Sequence, residues 1–225
     1  VTISPNGTEK IGGTNADVTL NTEGQSVQFV YIDGTQGWIN VIDSTSNVRA
    51  NEYIIATGGC ITTCGNCKMH TFLSPGTFTV SCVSPCAANN LVSYMVVGGG
   101  GGGGGDYGAG AGAGGFREVV SPSSPYSGSP LDGYPSAPNR VTVTAQAYPI
   151  VIGGGGAGGS SDTQGTNGVD STFSTITATA GGGGGSVPSP AANLQGNPGG
   201  SGGGNANDSA PYGNPSGNTP PVSPP

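Results

Sequence analysis

In LVSYMVVGGGGGGGG (residues 91–105), an apolar segment with the pattern of a β-strand is followed directly by eight consecutive glycines. The pattern occurs twice more. YPIVI (148–152) precedes a second run at 153–159, broken only by Ala157, and FSTITATA (173–180) precedes a third run at 181–185. A strand-then-glycine arrangement that recurs in this way indicates architecture and not a random linker.

The glycine runs have two interpretations. A flexible linker is one, because glycine loses more backbone entropy on folding than any other residue. Apolar lead-in strands, small interrupting residues such as Ala109 and a similar spacing of the runs favour order instead. The ordered alternative is a lattice of polyglycine II helices with three residues per turn and a rise of about 3.1 Å. Helices without side chains approach closely and hydrogen-bond to one another, and eight glycines span roughly 25 Å.

Composition excludes several classes of protein. The 225 residues include 12 acidic and five basic residues, which give a formal net charge of −7. Binding to a phosphate backbone requires clustered Lys or Arg, so we expect no nucleic-acid partner. No apolar run approaches the roughly 20 residues of a spanning helix, so we expect no membrane insertion. The chain opens on VTISPNG (1–7) with no visible signal peptide, which is typical of a processed start or a segment of a longer polypeptide.

The fold expected from these patterns is all-β, with small antiparallel β units followed by a glycine-rich region of polyglycine II and extended segments, and no significant helix. Residues 1–48 form a hairpin-rich segment with a turn at Asp33-Gly34. A segment with so few strands buries little apolar surface as a single copy. We therefore expect it to pack against copies of itself, and a trimer is favoured. The further domains are a small cysteine-containing β domain at 49–97, a glycine-rich domain with strand islands at 98–186, and a Gly/Pro/Asn-rich tail at 187–225.

Two sets of residues resemble proteins of tailed bacteriophages. The first resembles a β-rich segment of tail-fibre and virion appendage proteins: ISPNGTEKIGG (3–13), VTL (18–20) and QSVQFVYIDGTQGW (25–38). The second resembles the module that precedes glycine-rich domains in phage structural proteins, notably marine ones: ATGG (56–59), KMHTF (68–72), PGTFTV (75–80), YMVVGG (94–99), GGFRE (114–118) and STFSTITA (171–178).

The resemblance implies a function. It implies a receptor-binding or tail-fibre segment of the virion, acting outside the cell, whose loops at the lattice ends meet a host surface glycan or outer-membrane protein. The first segment typically forms an intertwined trimer, so the implied partners are copies of the chain and other virion or filament proteins. Two alternatives remain open: a non-adhesive extracellular filament or virion decoration subunit, and a polysaccharide depolymerase. Depolymerases are usually built on long β-helices, whose coil repeats this sequence lacks.

The cysteines admit three interpretations. All five lie within 27 residues, at Cys60, Cys64, Cys67, Cys82 and Cys86. The C-x-x-C and C-x-x-x-C pairs have the spacing of a zinc site, with His70 as a further candidate ligand. Disulfides are favoured over a metal site, because small domains exposed to an oxidising medium are often stabilised by disulfide bonds. Reduced structural thiols are the third interpretation.

Tyrosines are the candidate binding residues. Five of them lie in or beside glycine and proline segments and are expected to be exposed: Tyr107, Tyr126, Tyr134, Tyr148 and Tyr212. An amphipathic ring on a rigid loop is a good contact surface for sugars or proteins. The alternative is that the rings cover the lattice or stack on prolines. No catalytic residue is expected, because the single histidine, His70, has no nucleophile elbow near it and the acidic residues are dispersed. No cofactor is expected either.

Overall fold

The computed structural model describes residues 1–43, 53–65, 67–187, 194–206 and 213–222. It confirms the all-β prediction, since these residues form short antiparallel sheets and only two 3-10 turns, Ala87–Asn90 and Ala137–Asn139. The strands are β1 Thr2–Ile3, β2 Val18–Thr19, β3 Val27–Asp33, β4 Gly37–Asp43, β5 Ile55–Thr57, β6 Cys60–Cys64, β7 Cys67–Thr71, β8 Gly76–Cys82, β9 Leu91–Val92, β10 Tyr94–Val97, β11 Phe116–Val119, β12 Val141–Thr142, β13 Ala147–Val151, β14 Ser171–Phe173 and β15 Ile176–Ala178.

The chain divides into two compact units, Val1–Ala50 and Asn51–Pro225. The division of residues 49–225 into three domains stays a prediction. One sheet of the second unit nevertheless crosses the predicted boundary after residue 97, because β8, which precedes it, pairs along four residues with β13, which follows it. The strand-rich and glycine-rich parts of this unit therefore share a core.

In the first unit, β1 pairs with β2, and β3 pairs with β4 in a two-stranded ribbon. The ribbon turns at residues 34–36, where the Asp33 carboxylate accepts hydrogen bonds from the amides of Thr35 and Gln36, both at 2.7 Å. Apolar side chains are exposed on both faces of the ribbon, among them Tyr31 at 49% and Ile32 at 53%. Such a ribbon gains little from burial as a single copy.

The second unit contains a five-stranded antiparallel sheet in the order β15-β14-β13-β8-β5. Along β13, buried Tyr148 and Ile150 alternate with exposed residues, as expected for a strand with one face on a core. Burying each such side chain contributes about 1.5–3 kcal/mol. Pro149 has no backbone N–H, but its place in this central strand removes no hydrogen bond to β14, because β14 pairs only with Ile150 and Val151.

Aromatic rings fill the centre of this core. Phe173 contacts Phe78, Tyr94 and Tyr148 at centroid distances of 6.1, 5.9 and 6.1 Å. Tyr94 belongs to the β10–β11 pair, which packs over β14 and β15. The core therefore fixes the strands from which the glycine segments start.

The glycine-rich chain continues these strands as hydrogen-bonded hairpins. We call the segments g1 (98–105), g2 (109–115), g3 (153–159), g4 (163–169), g5 (180–186), g6 (194–200) and g7 (201–206). Segment g1 extends β10 and g2 leads back into β11; g3 extends β13 and g4 leads back into β14; g5 extends β15. Each glycine run named from the sequence is thus the outgoing arm of a longer extension.

The hydrogen bonds between the segments repeat every three residues. From g1 to g2 they join the amides of Gly98, Gly101 and Gly104 to the carbonyls of Gly115, Gly112 and Ala109. From g1 to g4 they join the amides of Gly99, Gly102 and Gly105 to the carbonyls of Val169, Thr166 and Thr163. A repeat of three is that of polyglycine II and differs from the repeat of two in a β-ladder. The runs form the lattice predicted from the sequence.

Segment g5 lies at the centre of the lattice. Residues 181–186 are all buried, and their backbone bonds to five other segments, namely g1, g2, g4, g6 and g7. Segment g3 lies at the surface, where Gly154, Gly155, Ala157 and Gly158 are exposed. Two runs of nearly the same composition therefore occupy opposite environments.

Candidate functional site

Two turns meet at one end of the lattice, which we call the tip. They are residues 106–108 between g1 and g2, and residues 160–162 between g3 and g4. Segments g1, g3 and g5 run in the same direction, so their far ends coincide. The buried Ser186 hydroxyl joins them, donating to the carbonyls of Gly105 at 2.8 Å and Ser161 at 3.2 Å. The amide of Val187 donates to the carbonyl of Asp106.

The tip has an unusual backbone. Asp106, Tyr107 and Ser161 have φ values of 22°, 48° and 47°, in the left-handed region that L-residues rarely adopt. The Tyr107 side chain is 93% exposed, so no packing within the described residues accounts for this conformation. The lattice bonds on either side hold the turn in place. Strained positions of this kind cluster at ligand-binding sites.

The chemistry of the tip suits recognition without catalysis. It presents the Tyr107 ring, exposed carboxylates at Asp106 and Asp162, and exposed serines at 160 and 161. The second turn is stiffened by Thr163, whose hydroxyl donates to the Ser160 carbonyl at 2.7 Å and accepts from the Ser160 amide at 2.8 Å. Aromatic rings, carboxylates and hydroxyls are groups that contact sugar hydroxyls and protein surfaces.

A second ordered loop, residues 121–139, starts at the opposite end of the extended β10–β11 hairpin. It is pinned by Asn139, which accepts from buried Arg117 at 2.6 Å through its side chain and from the Tyr94 hydroxyl at 2.6 Å through its carbonyl. Burial raises the pKa of Tyr94 to about 12, which favours the protonated hydroxyl that donates this hydrogen bond. Arg140 lies 4.4 Å from the Tyr134 ring centroid, a cation–π contact.

The predicted tyrosines do not form one surface. Tyr107 lies at the tip, whereas Tyr126, which is 54% exposed, and Tyr134 lie in the loop at the other end. The expectation that Tyr148 is exposed is wrong: its ring is 6% exposed and packs on Phe173, because Tyr148 occupies an inward position of β13. Tyr212 lies outside the described residues.

The sequence predicts loops at the lattice ends but does not distinguish the 160–162 turn as one of them. The sequence indicates this turn only by its position, since SSD (160–162) lies between the glycine run and the polar g4 segment. The hydrogen bonds of g4 to g1, g3 and g5 identify g4 as a lattice member, and those to g1 place this turn beside residues 106–108.

The favoured disulfides are absent from the structure, in which all five cysteines, Cys60, Cys64, Cys67, Cys82 and Cys86, are free. Cys64 and Cys67 lie opposite each other in the β6–β7 hairpin, whereas Cys82 ends β8 and Cys86 precedes a 3-10 turn. The described residues contain no group of three His, Cys, Asp or Glu side chains that could hold a metal ion. His70 packs on Phe78 at 5.0 Å, and its Nδ1 lies 2.8 Å from the Gly58 carbonyl.

In the part of the chain that the structure describes, no helix is long and apolar enough to cross a membrane.

Comparisons with known proteins give one match. No curated protein and no solved structure matches the chain. A family model described as a glycine-rich domain matches residues 73–221, which is more than half of the chain and includes every lattice segment. The chain therefore belongs to the glycine-rich domain family.

Proposed function

We propose that this protein is a structural component of a tailed bacteriophage, a tail-fibre or receptor-binding segment that attaches the virion to the host. Attachment is non-covalent and takes place at the tip formed by residues 106–108 and 160–162. The ligand is a glycan or an outer-membrane protein of the host surface. The protein acts on the virion, outside the cell, with no catalytic step.

The observation that carries this proposal is the exposed Tyr107 on a strained turn. A left-handed backbone at a bulky residue costs about 1–3 kcal/mol. A side chain that is 93% exposed gains no burial to offset this cost. Because the lattice holds the backbone of both turns, a ligand binds to turns that are already ordered, and little backbone conformational entropy is lost on binding.

The first unit supports the oligomeric part of the proposal. Its ribbon exposes apolar side chains on both faces, including Val30 at 39% and Val41 at 52%. Packing against two further copies removes this surface from water, and burial of apolar area contributes about 25 cal/mol per Å². We therefore propose that residues 1–48 assemble the fibre as a homotrimer.

The test compares two tyrosine variants of the labelled protein, Tyr107→Ala and Tyr126→Ala, on a panel of bacterial cells and a glycan array. Loss of an aromatic anchor costs about 2 kcal/mol or more, so Tyr107→Ala is expected to weaken binding roughly 30-fold. Tyr126→Ala, an exposed tyrosine at the other end of the hairpin, is the control and is expected to bind like the wild type. Equal binding by Tyr107→Ala and the wild type would contradict the proposal.

One feature favours a second function, that of a filament or decoration subunit. Gly155 and Gly158 are exposed on g3, and their amides and carbonyls have no hydrogen-bond partner among the described residues. These residues are three apart and share one side of a polyglycine II helix. An open edge of this kind can pair with another chain, as the edge of a β-sheet does. Regular lateral arrays in electron micrographs would support this function in place of adhesion.

A further inference from the structure

The β6–β7 hairpin carries a face rich in sulfur. Its register pairs Cys64 with Cys67, Thr62 with Met69 and Cys60 with Thr71. Side chains directly opposite each other in an antiparallel pair project to the same face, so these six share one face. The cysteines of the hairpin are exposed, and Met69 is 59% exposed.

The other face of the hairpin explains why this face is free. His70 and its partner Ile61 alternate with the sulfur-bearing residues and project to the opposite side. The His70 ring packs on Phe78 of β8, so this side of the hairpin contacts the five-stranded sheet. The sulfur face therefore points away from this contact.

The register of the closing pair allows its two thiolates to reach one metal ion. Opposite residues in an antiparallel ladder have Cβ atoms about 4.5–5.5 Å apart. A metal–thiolate bond is about 2.3 Å, as for zinc, so two sulfurs that bind one ion in a linear arrangement lie about 4.6 Å apart. Met69 lies two residues beyond Cys67 on the same face, where its thioether can approach the same ion.

We propose that Cys64 and Cys67 form a binding site for a soft monovalent cation, Cu⁺, with the Met69 thioether as an additional ligand. Thiolate and thioether ligands select Cu⁺. A structural zinc ion requires four ligands, and the described residues bring together no three His, Cys, Asp or Glu side chains for it. Both thiols lose their protons on binding, so two protons are released for each Cu⁺ bound and no electron is transferred.

The test is an anaerobic titration of the reduced full chain with Cu⁺ in competition with a chromophoric Cu⁺ chelator. We expect the protein to withdraw one equivalent of Cu⁺. Cys64→Ser and Cys67→Ser are each expected to weaken affinity on the order of 100-fold or more, because a bidentate site becomes monodentate. Met69→Leu is expected to have a smaller effect. Cys86→Ser, which removes an exposed thiol outside the hairpin, is the matched control and is expected to leave affinity unchanged.

X-ray absorption of the loaded protein gives a second readout, in which sulfur-only coordination of copper is expected. Circular dichroism of each variant checks that the fold is retained. Equal copper uptake by wild type and by Cys64→Ser, or coordination by nitrogen and oxygen, would overturn the proposal. So would failure of the reduced wild-type protein to withdraw Cu⁺ from the chelator.

Discussion

Replacing Gly183 with alanine tests the lattice at its most buried segment. A Cβ added at Gly183 would lie much closer to the Gly165 carbonyl oxygen than the sum of the van der Waals radii of the two atoms allows. That oxygen belongs to backbone and not to a flexible side chain, so the neighbouring segment must shift. The shift disturbs two backbone hydrogen bonds, from Gly165 to the Gly184 carbonyl at 2.9 Å and from Asn197 to the Gly183 carbonyl at 2.8 Å.

The expected magnitude follows from these contacts. Overpacking in a close-packed interior costs about 1–3 kcal/mol, and each hydrogen bond lost costs about 0.5–1.5 kcal/mol. We therefore expect a destabilisation of about 2–6 kcal/mol. For a unit of this size each kcal/mol shifts the Tm by about 2–4 °C, so the Tm of Gly183→Ala is expected to fall by about 4–24 °C.

The control for this variant is Gly154→Ala, in a run of similar composition. Gly154 is exposed on g3, and an added Cβ meets no atom within 4 Å. The Tm is expected to stay within a few degrees of the wild type, since surface substitutions change stability by about 0.5 kcal/mol or less. Amide hydrogen exchange gives the matching readout, with slow exchange at 181–185 and faster exchange at Gly155 and Gly158. Equal Tm values for the two variants, or fast amide exchange throughout both runs, would refute the lattice and indicate that the runs are flexible linkers.

Two further predictions concern pH. Hydrogen bonds from the backbone amides lower the pKa of Asp33 below its ordinary value of 3.8, the bond from Gln36 having the larger effect and that from Thr35 the smaller. The ionised carboxylate therefore stabilises the turn above pH 3.8, and this contribution is lost as the pH falls through the lowered pKa. Fluorescence of the single tryptophan during acid titration should show the loss, and Asp33→Asn should remove this part of the pH dependence. Burial raises the pKa of Tyr94 from 10.0 to about 12, so its contribution is full below pH 10 and is lost as the pH rises through about 12. Thermal melts across this range should lose the trend in Tyr94→Phe, and an unchanged trend would contradict the assignment.

The strands and the lattice were predictable from local pattern. The apolar lead-ins at 91–97, 148–152 and 173–180 contain β9 and β10, most of β13, and β15. The predicted turn at Asp33-Gly34 lies at the observed bend of the ribbon. Alternation of apolar residues and the absence of side chains in the runs act within a few residues, so they are visible in the sequence.

The exposure of Tyr148 and the fate of the cysteines were not predictable in this way. Both Tyr148 and Tyr107 lie beside a glycine run, yet one is buried in β13 and the other is fully exposed at the tip. The difference comes from strand pairing across long sequence separations, such as Tyr148 with Phe78. The same holds for Cys64 and Cys67, whose opposition depends on the hairpin register, while Cys82 and Cys86 belong to other elements.

The all-β fold and the ability of the glycine runs to pack backbone against backbone are evident in the sequence, because both properties follow from side-chain size and spacing. Which run lies at the centre depends on tertiary contacts. Segment g5 is buried and g3 is exposed although both are almost pure glycine. A residue without a side chain carries no preference for a particular neighbour, so the strands at the base of each run and the connections between them assign the lattice positions and bring residues 106–108 and 160–162 together at the tip.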